Sequence, residues 1–321
     1  MKQLGSTGRQ RRPVDLYRHP QPSHARTIVW GESGIRRLTL IVLAVAFGIR
    51  ACDWQSLGAA PSVDMHTIAY VSGPGADPIK HKIDLYRPQG QTDLPVLLYF
   101  HGGVWQKGDK EQCLNIGQAF ARRGVLTAIV NYRLTPAVRH PEHVRDAARA
   151  VAWIIRHAAE HGGRADRVYL SGHSAGGHLV TLLLFDQQYL RDEGVEPEAI
   201  AGVIPLSGVF DLTKGLDDTP DGGAAAYIHQ PFGEDPTVLV GASPIRQIRD
   251  TRVPILVILA GEDYQAMQRQ SREFVNAVRR RGFPVTFETI PGRSHYALVQ
   301  SIGQSEDRTT DLIVRFIGAS R

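Results

Sequence analysis

Beyond residue 62 the chain alternates short runs of β-branched and aromatic residues with longer amphipathic stretches. The short runs predict strands over Thr67–Val71, Lys82–Tyr86, Val96–Phe100, Thr127–Tyr132, Arg167–Ser171, Gly202–Leu206, Ile255–Ala260 and Thr286–Ile290. The longer stretches predict helices over Glu111–Arg123, Val144–His157, Ala175–Tyr189, Gln265–Arg281 and Arg308–Ile317, with Gly124, Gly162 and Gly282 placed as C-terminal stops. Val96–Phe100 and Ile255–Leu259 are apolar at every position, as a strand must be when helices cover both sheet faces. The pattern therefore predicts an α/β fold with a mostly parallel central sheet between helices. The first two strands have no helix between them, so an antiparallel hairpin should lead the sheet. Residues 211–250, rich in Gly, Asp and Pro and weak in periodicity, read as a small insertion on the carboxyl side, the edge where open α/β sheets bind ligands.

Residues 1–51 follow another pattern. Lys2 and eight arginines (Arg9, Arg11, Arg12, Arg18, Arg26, Arg36, Arg37, Arg50) stand against Asp15 and Glu32, giving +7, whereas residues 52–321 hold 28 bases and 30 acids. The formal charge of +5 thus belongs to the N-terminal segment. The slightly acidic remainder has no basic helix or aromatic-interleaved basic stripe to follow a phosphate backbone, so nucleic acid is not an expected partner. Leu38 to Ile49 carries no charge and follows Arg36-Arg37. That run is short of the roughly 20 residues needed to cross a bilayer, but it suits the apolar core of a secretory signal. Ile49-Arg50-Ala51-Cys52 resembles a bacterial lipoprotein processing site, which implies an exported, periplasmic or membrane-anchored protein lipidated at Cys52. The alternative is a cytoplasmic protein in which the run is an ordinary helix. Residues 52–62 read as a linker and 63–321 as one catalytic domain, a length that can bury a sizeable core unaided. Two cysteines provide neither a disulfide framework nor a four-thiolate zinc site. Oligomeric state is not legible.

Three motifs carry chemistry. Gly172-His173-Ser174-Ala175-Gly176 lies where a strand passes directly into a helix, a turn that points a serine hydroxyl into the cleft. His101-Gly102-Gly103-Val104-Trp105 follows an earlier apolar strand, where backbone N–H groups can meet an oxyanion. Gly103, Val104 and Ala175 are the expected oxyanion donors. His101 reads as a brace for this loop, and Trp105, His173 and Phe210 as walls of the substrate pocket. A serine needs a base, and the base needs a carboxylate to hold its tautomer. His295, in Ser294-His295-Tyr296 after the last strand, is the only histidine beyond residue 229. The acid should lie at Gly261-Glu262-Asp263; Asp263 is favoured over Glu262, and Asp211 is a third candidate. Together the motifs point to acyl transfer to water through a covalent intermediate, with no metal or organic cofactor expected.

His101–Trp105, Asn131-Tyr-Arg-Leu-Thr-Pro136, Gly172–His178, Ser207-Gly-Val-Phe-Asp-Leu212, Gln270-Ser271 and Ser294-His295-Tyr296 occur in order over about residues 65–320. They resemble the α/β-hydrolase group of kynurenine formamidases, prenylcysteine methylesterases and related bacterial carboxylesterases. The resemblance implies the α/β-hydrolase fold, with nucleophile, acid and base at Ser174, Asp263 and His295. Val104 stands where that group usually has an aromatic residue or glycine. The expected substrate is a small short-acyl or aryl ester, with an arylformamide as the alternative. A non-catalytic binding protein of the same fold is a minor alternative. His157-Ala-Ala-Glu160-His161 has the spacing of an inverted zinc-peptidase motif, but it falls on a terminating helix end without an evident third ligand.

Overall fold

The computed structural model describes residues 61–216 and 224–319. The basic segment, the apolar run, Cys52 and most of the expected linker lie outside the described residues. Eight strands form one sheet: β1 (Val63–Ala69), β2 (Lys82–Pro88), β3 (Leu94–Phe100), β4 (Leu126–Val130), β5 (Gly163–His173), β6 (Ile200–Leu206), β7 (Ile255–Glu262) and β8 (Val285–Ser294). Their spatial order is β1-β2-β4-β3-β5-β6-β7-β8. β2 pairs antiparallel with both β1 and β4, and every other pairing is parallel. All eight predicted strands are present, and the leading hairpin is the β1–β2 pair.

Alternate residues of each strand face opposite sides of the sheet, which divides the core in two. Leu98 and Phe100 of β3 join one buried cluster with Ala147 and Val151 of α2 (Glu142–His157), Leu179 and Leu182 of α3 (Ala175–Phe185) and Phe274 of α7 (Gln265–Arg280). Leu97 and Tyr99 join the other, with Ile116 and Phe120 of α1 (Leu114–Ala121) and Ile313 and Ile317 of α9 (Arg308–Ala319). Each fully buried Leu, Ile, Val or Phe among these contributes on the order of 1.5–3 kcal/mol of burial.

Some helix boundaries differ from the pattern. The predicted helix 111–123 opens as a 3-10 turn, Lys110–Cys113, capped by the Asp109 carboxylate. The predicted helix 175–189 breaks at Asp186, whose ψ of 78° leaves the helical region, and resumes as α4 (Gln188–Asp192). A short α8 (Ala297–Gln300) follows β8 and was not predicted. The insertion after β6 also contains two unpredicted helices, α5 (Ala224–Phe232) and α6 (Pro236–Gly241). α6 is six residues long with only Val238 and Leu239 half-buried, too short a stretch for a periodic stripe, although Asp235 as N-cap and Pro236 in the first turn mark its start.

Candidate active site

The site forms along the carboxyl edge of the sheet, where the turns after β3, β5, β7 and β8 emerge. β5 ends at His173 and α3 begins at Ala175, so Ser174 forms the whole turn, with φ 53° and ψ −113°. Such a backbone is costly for a residue with a Cβ and persists only when its surroundings impose it. Here the Ser174 N–H donates to the Leu206 carbonyl at 2.9 Å, and the Ser174 carbonyl accepts from His178 at 3.0 Å. The tightness of the turn depends on Gly176, because a Cβ there would sit 2.0 Å from the Phe100 carbonyl oxygen. Ser174 is 8% exposed, and Ala175 opens the helix, so its N–H has no helical carbonyl to meet.

Asp263 follows β7 and His295 follows β8. His295 Nδ1 donates to Asp263 Oδ1 over 2.7 Å, and the same oxygen accepts the Tyr264 N–H at 2.8 Å. A proton held on Nδ1 leaves the Nε2 lone pair of the neutral ring available as a base. Both residues are 6% exposed. Glu262 is exposed and does not share this contact. Asp211 is engaged elsewhere: its Oδ1 caps the turn at Thr213 and its Oδ2 pairs with Arg246 at 3.1 Å. Gln270 Oε1 accepts the N–H groups of Phe210 and Asp211, which pins this segment against α7.

The turn after β3 packs against the turn that carries Ser174. A Cβ on Gly102 would lie 2.9 Å from His173 Nδ1 and 3.3 Å from Ser174 Cβ. Gly103 adopts φ +114°, and its carbonyl accepts from Gln106 and Lys107, closing the loop. Val104 and Trp105 also have positive φ, 51° and 59°. That conformation is a strained one for a β-branched residue. The N–H groups of Gly103 and Val104 meet no backbone carbonyl among the described residues.

His101 braces this loop. Its ring stacks on Tyr132 at 4.5 Å, its carbonyl accepts the Tyr132 hydroxyl at 3.0 Å, and burial pushes its pKa down to about 4. The turn behind it carries a buried ionic network that the sequence reading missed. Asp146 accepts from Arg133, which also bonds Glu142, and Asp146 lies 3.2 Å from His81 Nε2 and 3.0 Å from Arg149. Hydrogen bonds from Arg133, together with the nearby His81, hold the Asp146 carboxylate down to about 2 against the desolvation that would raise it. From this turn Thr135 donates its N–H to the Trp105 carbonyl at 2.9 Å, so the network supports the loop after β3 indirectly. An acid on the face of α2 that otherwise buries apolar residues and His143 was the available signal.

Two of the three expected pocket walls need correction. Trp105 is 1% exposed and packs edge-on against His178 and Phe232. Phe210 has 0% exposure and stacks on Phe274 at 4.2 Å. Both residues belong to the buried core and have no surface to offer a substrate in this conformation. His173 lies against the His295 ring, at 4.4 Å. The exposed Tyr296 and the half-buried Tyr264 flank His295 at 5.3 and 5.2 Å. In the zinc-peptidase-like spacing, His157 stacks on Trp153 and donates to its carbonyl, and His161 tilts against the same indole. Among the described residues no group of three or more His, Cys, Asp or Glu side chains is placed to hold a metal.

Such a sheet, with a strained serine turn after its fifth strand and a carboxylate–histidine pair after its last two, defines a hydrolase of the α/β-hydrolase fold. The chain belongs to the BD-FAE family, whose model matches residues 83–278. It is 28% identical over 245 residues to the kynurenine formamidase of Danio rerio, covering 74% of this chain and 78% of that protein. It is 29% identical over 211 residues to the probable carboxylic ester hydrolase LipM of Mycobacterium tuberculosis, covering 63% of this chain and 49% of that one. Among solved structures, esterase B from Lactobacillus rhamnosis superposes with a TM-score of 0.69 at 22% identity, over 82% of this chain and 87% of that chain.

Proposed function

We propose that the protein hydrolyses small carboxylic esters with short acyl or aryl groups through an acyl-enzyme on Ser174. The observation that carries this reading is the 2.7 Å contact between His295 and Asp263, buried beside the turn that holds Ser174. His295 Nε2 takes the Ser174 proton as Oγ attacks the ester carbonyl, and it returns that proton to the departing alcohol. Asp263 holds the ring's tautomer and stabilises the imidazolium. The N–H groups of Ala175, Gly103 and Val104 receive the oxyanion, and each such donor is worth about 2.7–4 kcal/mol to the transition state. Water then attacks the acyl-enzyme by the same route, freeing the acid and Ser174.

Arylformamide hydrolysis is the second reading, favoured by the similarity to the Danio rerio kynurenine formamidase. The same groups serve it, with an amine as the leaving group. Rates on p-nitrophenyl acetate, butyrate and octanoate beside N-formylkynurenine separate the two. Ester turnover falling from acetate or butyrate to octanoate is expected, and a kcat/KM for the formamide above that for every ester would reverse the order.

We further propose that residues 1–51 direct export and that Cys52 is lipidated in the mature protein. The basic and apolar pattern of that segment supports this reading. Mass analysis of the mature N-terminus tests it, and an intact Met1 in membrane and periplasmic fractions would refute it.

A further inference from the structure

His173 is the residue before Ser174, yet its side chain serves neither the nucleophile nor a substrate wall alone. It turns from the end of β5 to the base-bearing loop after β8, where Nε2 donates to the backbone carbonyl of His295 at 3.0 Å. Its ring lies 4.4 Å from the His295 ring at 46° and 6.3 Å from that of Tyr296. Its other edge faces Gly102, where the missing side chain leaves just enough room for Nδ1. One buried imidazole therefore touches the nucleophile turn through its own backbone, the oxyanion loop through Gly102 and the base through the His295 carbonyl.

The Asp263 contact fixes only the side chain of His295, and the last ladder contact before it is the pairing of Ser294 with Glu262. Past that point the carbonyl of His295 has His173 as its tether. Burial and the neighbouring His295 hold the His173 pKa well below the usual imidazole range. The ring therefore stays neutral and places no second cation beside the imidazolium formed during turnover.

We infer that His173 is a positioning residue: its Nε2–H tether to the His295 carbonyl holds the base over Ser174 and in line with the oxyanion loop. This inference rests on the triad reading above. A small shift of the base weakens proton transfer in the transition state more than it weakens ground-state binding, so its loss should appear in kcat rather than in KM.

The test compares three variants in the full-length chain. His173→Leu keeps bulk and removes the donor; His173→Gln carries an N–H close to the position of imidazole Nε2; His173→Asn carries one that stops near Nδ1 and cannot reach the His295 carbonyl. His173→Leu and His173→Asn are expected to lose roughly 10- to 100-fold in kcat on p-nitrophenyl butyrate with KM within about threefold, and His173→Gln to recover most of the loss. The downfield proton resonance of His295 Nδ1–H is expected to shift or broaden in His173→Leu and His173→Asn and to return in His173→Gln. Wild-type kcat in His173→Leu, or equal impairment of His173→Gln and His173→Asn, would overturn the inference; if His173→Leu does not fold, the Gln–Asn comparison decides. Ser174→Ala separates the two failures. Turnover in that variant removes the triad reading, whereas an inactive Ser174→Ala beside a fully active His173→Asn removes only the role of His173.

Discussion

Asp263 Oδ1 carries two donors, His295 Nδ1 at 2.7 Å and the Tyr264 N–H at 2.8 Å, while Oδ2 is buried without a partner among the described residues. In Asp263→Asn the amide oxygen can serve the same two donors, but the NH2 group must then occupy the buried Oδ2 position, and the neutral side chain no longer stabilises an imidazolium. A loss of about 10⁴ in kcat is expected. Glu262→Gln, on an exposed side chain, should stay within about twofold of the parent, since surface changes away from such contacts have small effects. Asp211→Asn keeps the Oδ1 cap but loses the Arg246 pair, so it should lower the melting temperature slightly, with turnover largely kept. Steady-state kinetics beside thermal melts on the three variants check this, and a large kinetic loss only in Asp211→Asn would reassign the acid.

Gly102→Ala adds a methyl group 2.9 Å from His173 Nδ1 and 3.0 Å from the His173 carbonyl oxygen. The His173 ring or the loop after β3 must give way. Overpacking of this kind costs about 1–3 kcal/mol, and displacement of the loop should reduce kcat/KM by at least about tenfold. A crystal structure of the variant should show the His173 ring displaced, and an unmoved ring with parental kinetics would contradict the packing described.

Phe232 connects the insertion to the loop after β3. It sits at the end of α5, edge-on to Trp105 at 4.8 Å and close to His140, His143 and His178. The insertion is also held where the His140 N–H meets the Pro231 carbonyl and where His178 Nε2 meets the Ala242 carbonyl. Phe232→Ala removes a buried aromatic worth about 3–5 kcal/mol, and that loss should appear as local opening of the insertion. Hydrogen exchange should quicken over residues 224–242, with a smaller change in α2 and a reduced kcat. Unchanged exchange there would mean that the insertion is anchored elsewhere.

The buried histidines set the acid limit of stability. Desolvation pushes His101, His140 and His143 down to about 4 and His178 to about 3, from an ordinary value near 6.5. Between these values the unfolded chain binds protons that the folded chain refuses, so stability falls as pH is lowered through this window and is fully present above it. His101 alone contributes about 3 kcal/mol on this basis. The share from Asp146, held down to about 2, is lost only at lower pH, between about 4 and 2. Melting temperature should be flat above about pH 6.5 and fall steadily toward pH 4. A melting temperature that rises or holds constant over that interval would contradict the neutral, buried state of these rings.

The strands and the Ser174 and His295 turns were legible because each has a local cause: continuous apolar runs for a sheet covered on both faces, and glycines where two backbones meet. The insertion helices were not: α6 is six residues long with no fully buried residue, and α5 has Pro231 inside it, so neither presents a long periodic stripe. The positions of Trp105 and Phe210 were misread for a related reason. Sequence places an aromatic residue near a cleft but does not tell whether it faces the cleft or the core below, and here Phe232 and Phe274 draw both rings inward. The Asp146 network joins residues from 81 to 149 and becomes visible only when the residue before β2, the turn after β4 and α2 are brought together.

The central claim is that Ser174 becomes covalently acylated. Treatment with a fluorophosphonate followed by peptide mass analysis tests it most directly. One adduct per chain is expected, on Ser174, forming in parallel with the loss of esterase activity and absent from Ser174→Ala. An adduct on a different serine, or ester turnover that persists in Ser174→Ala, would contradict the account.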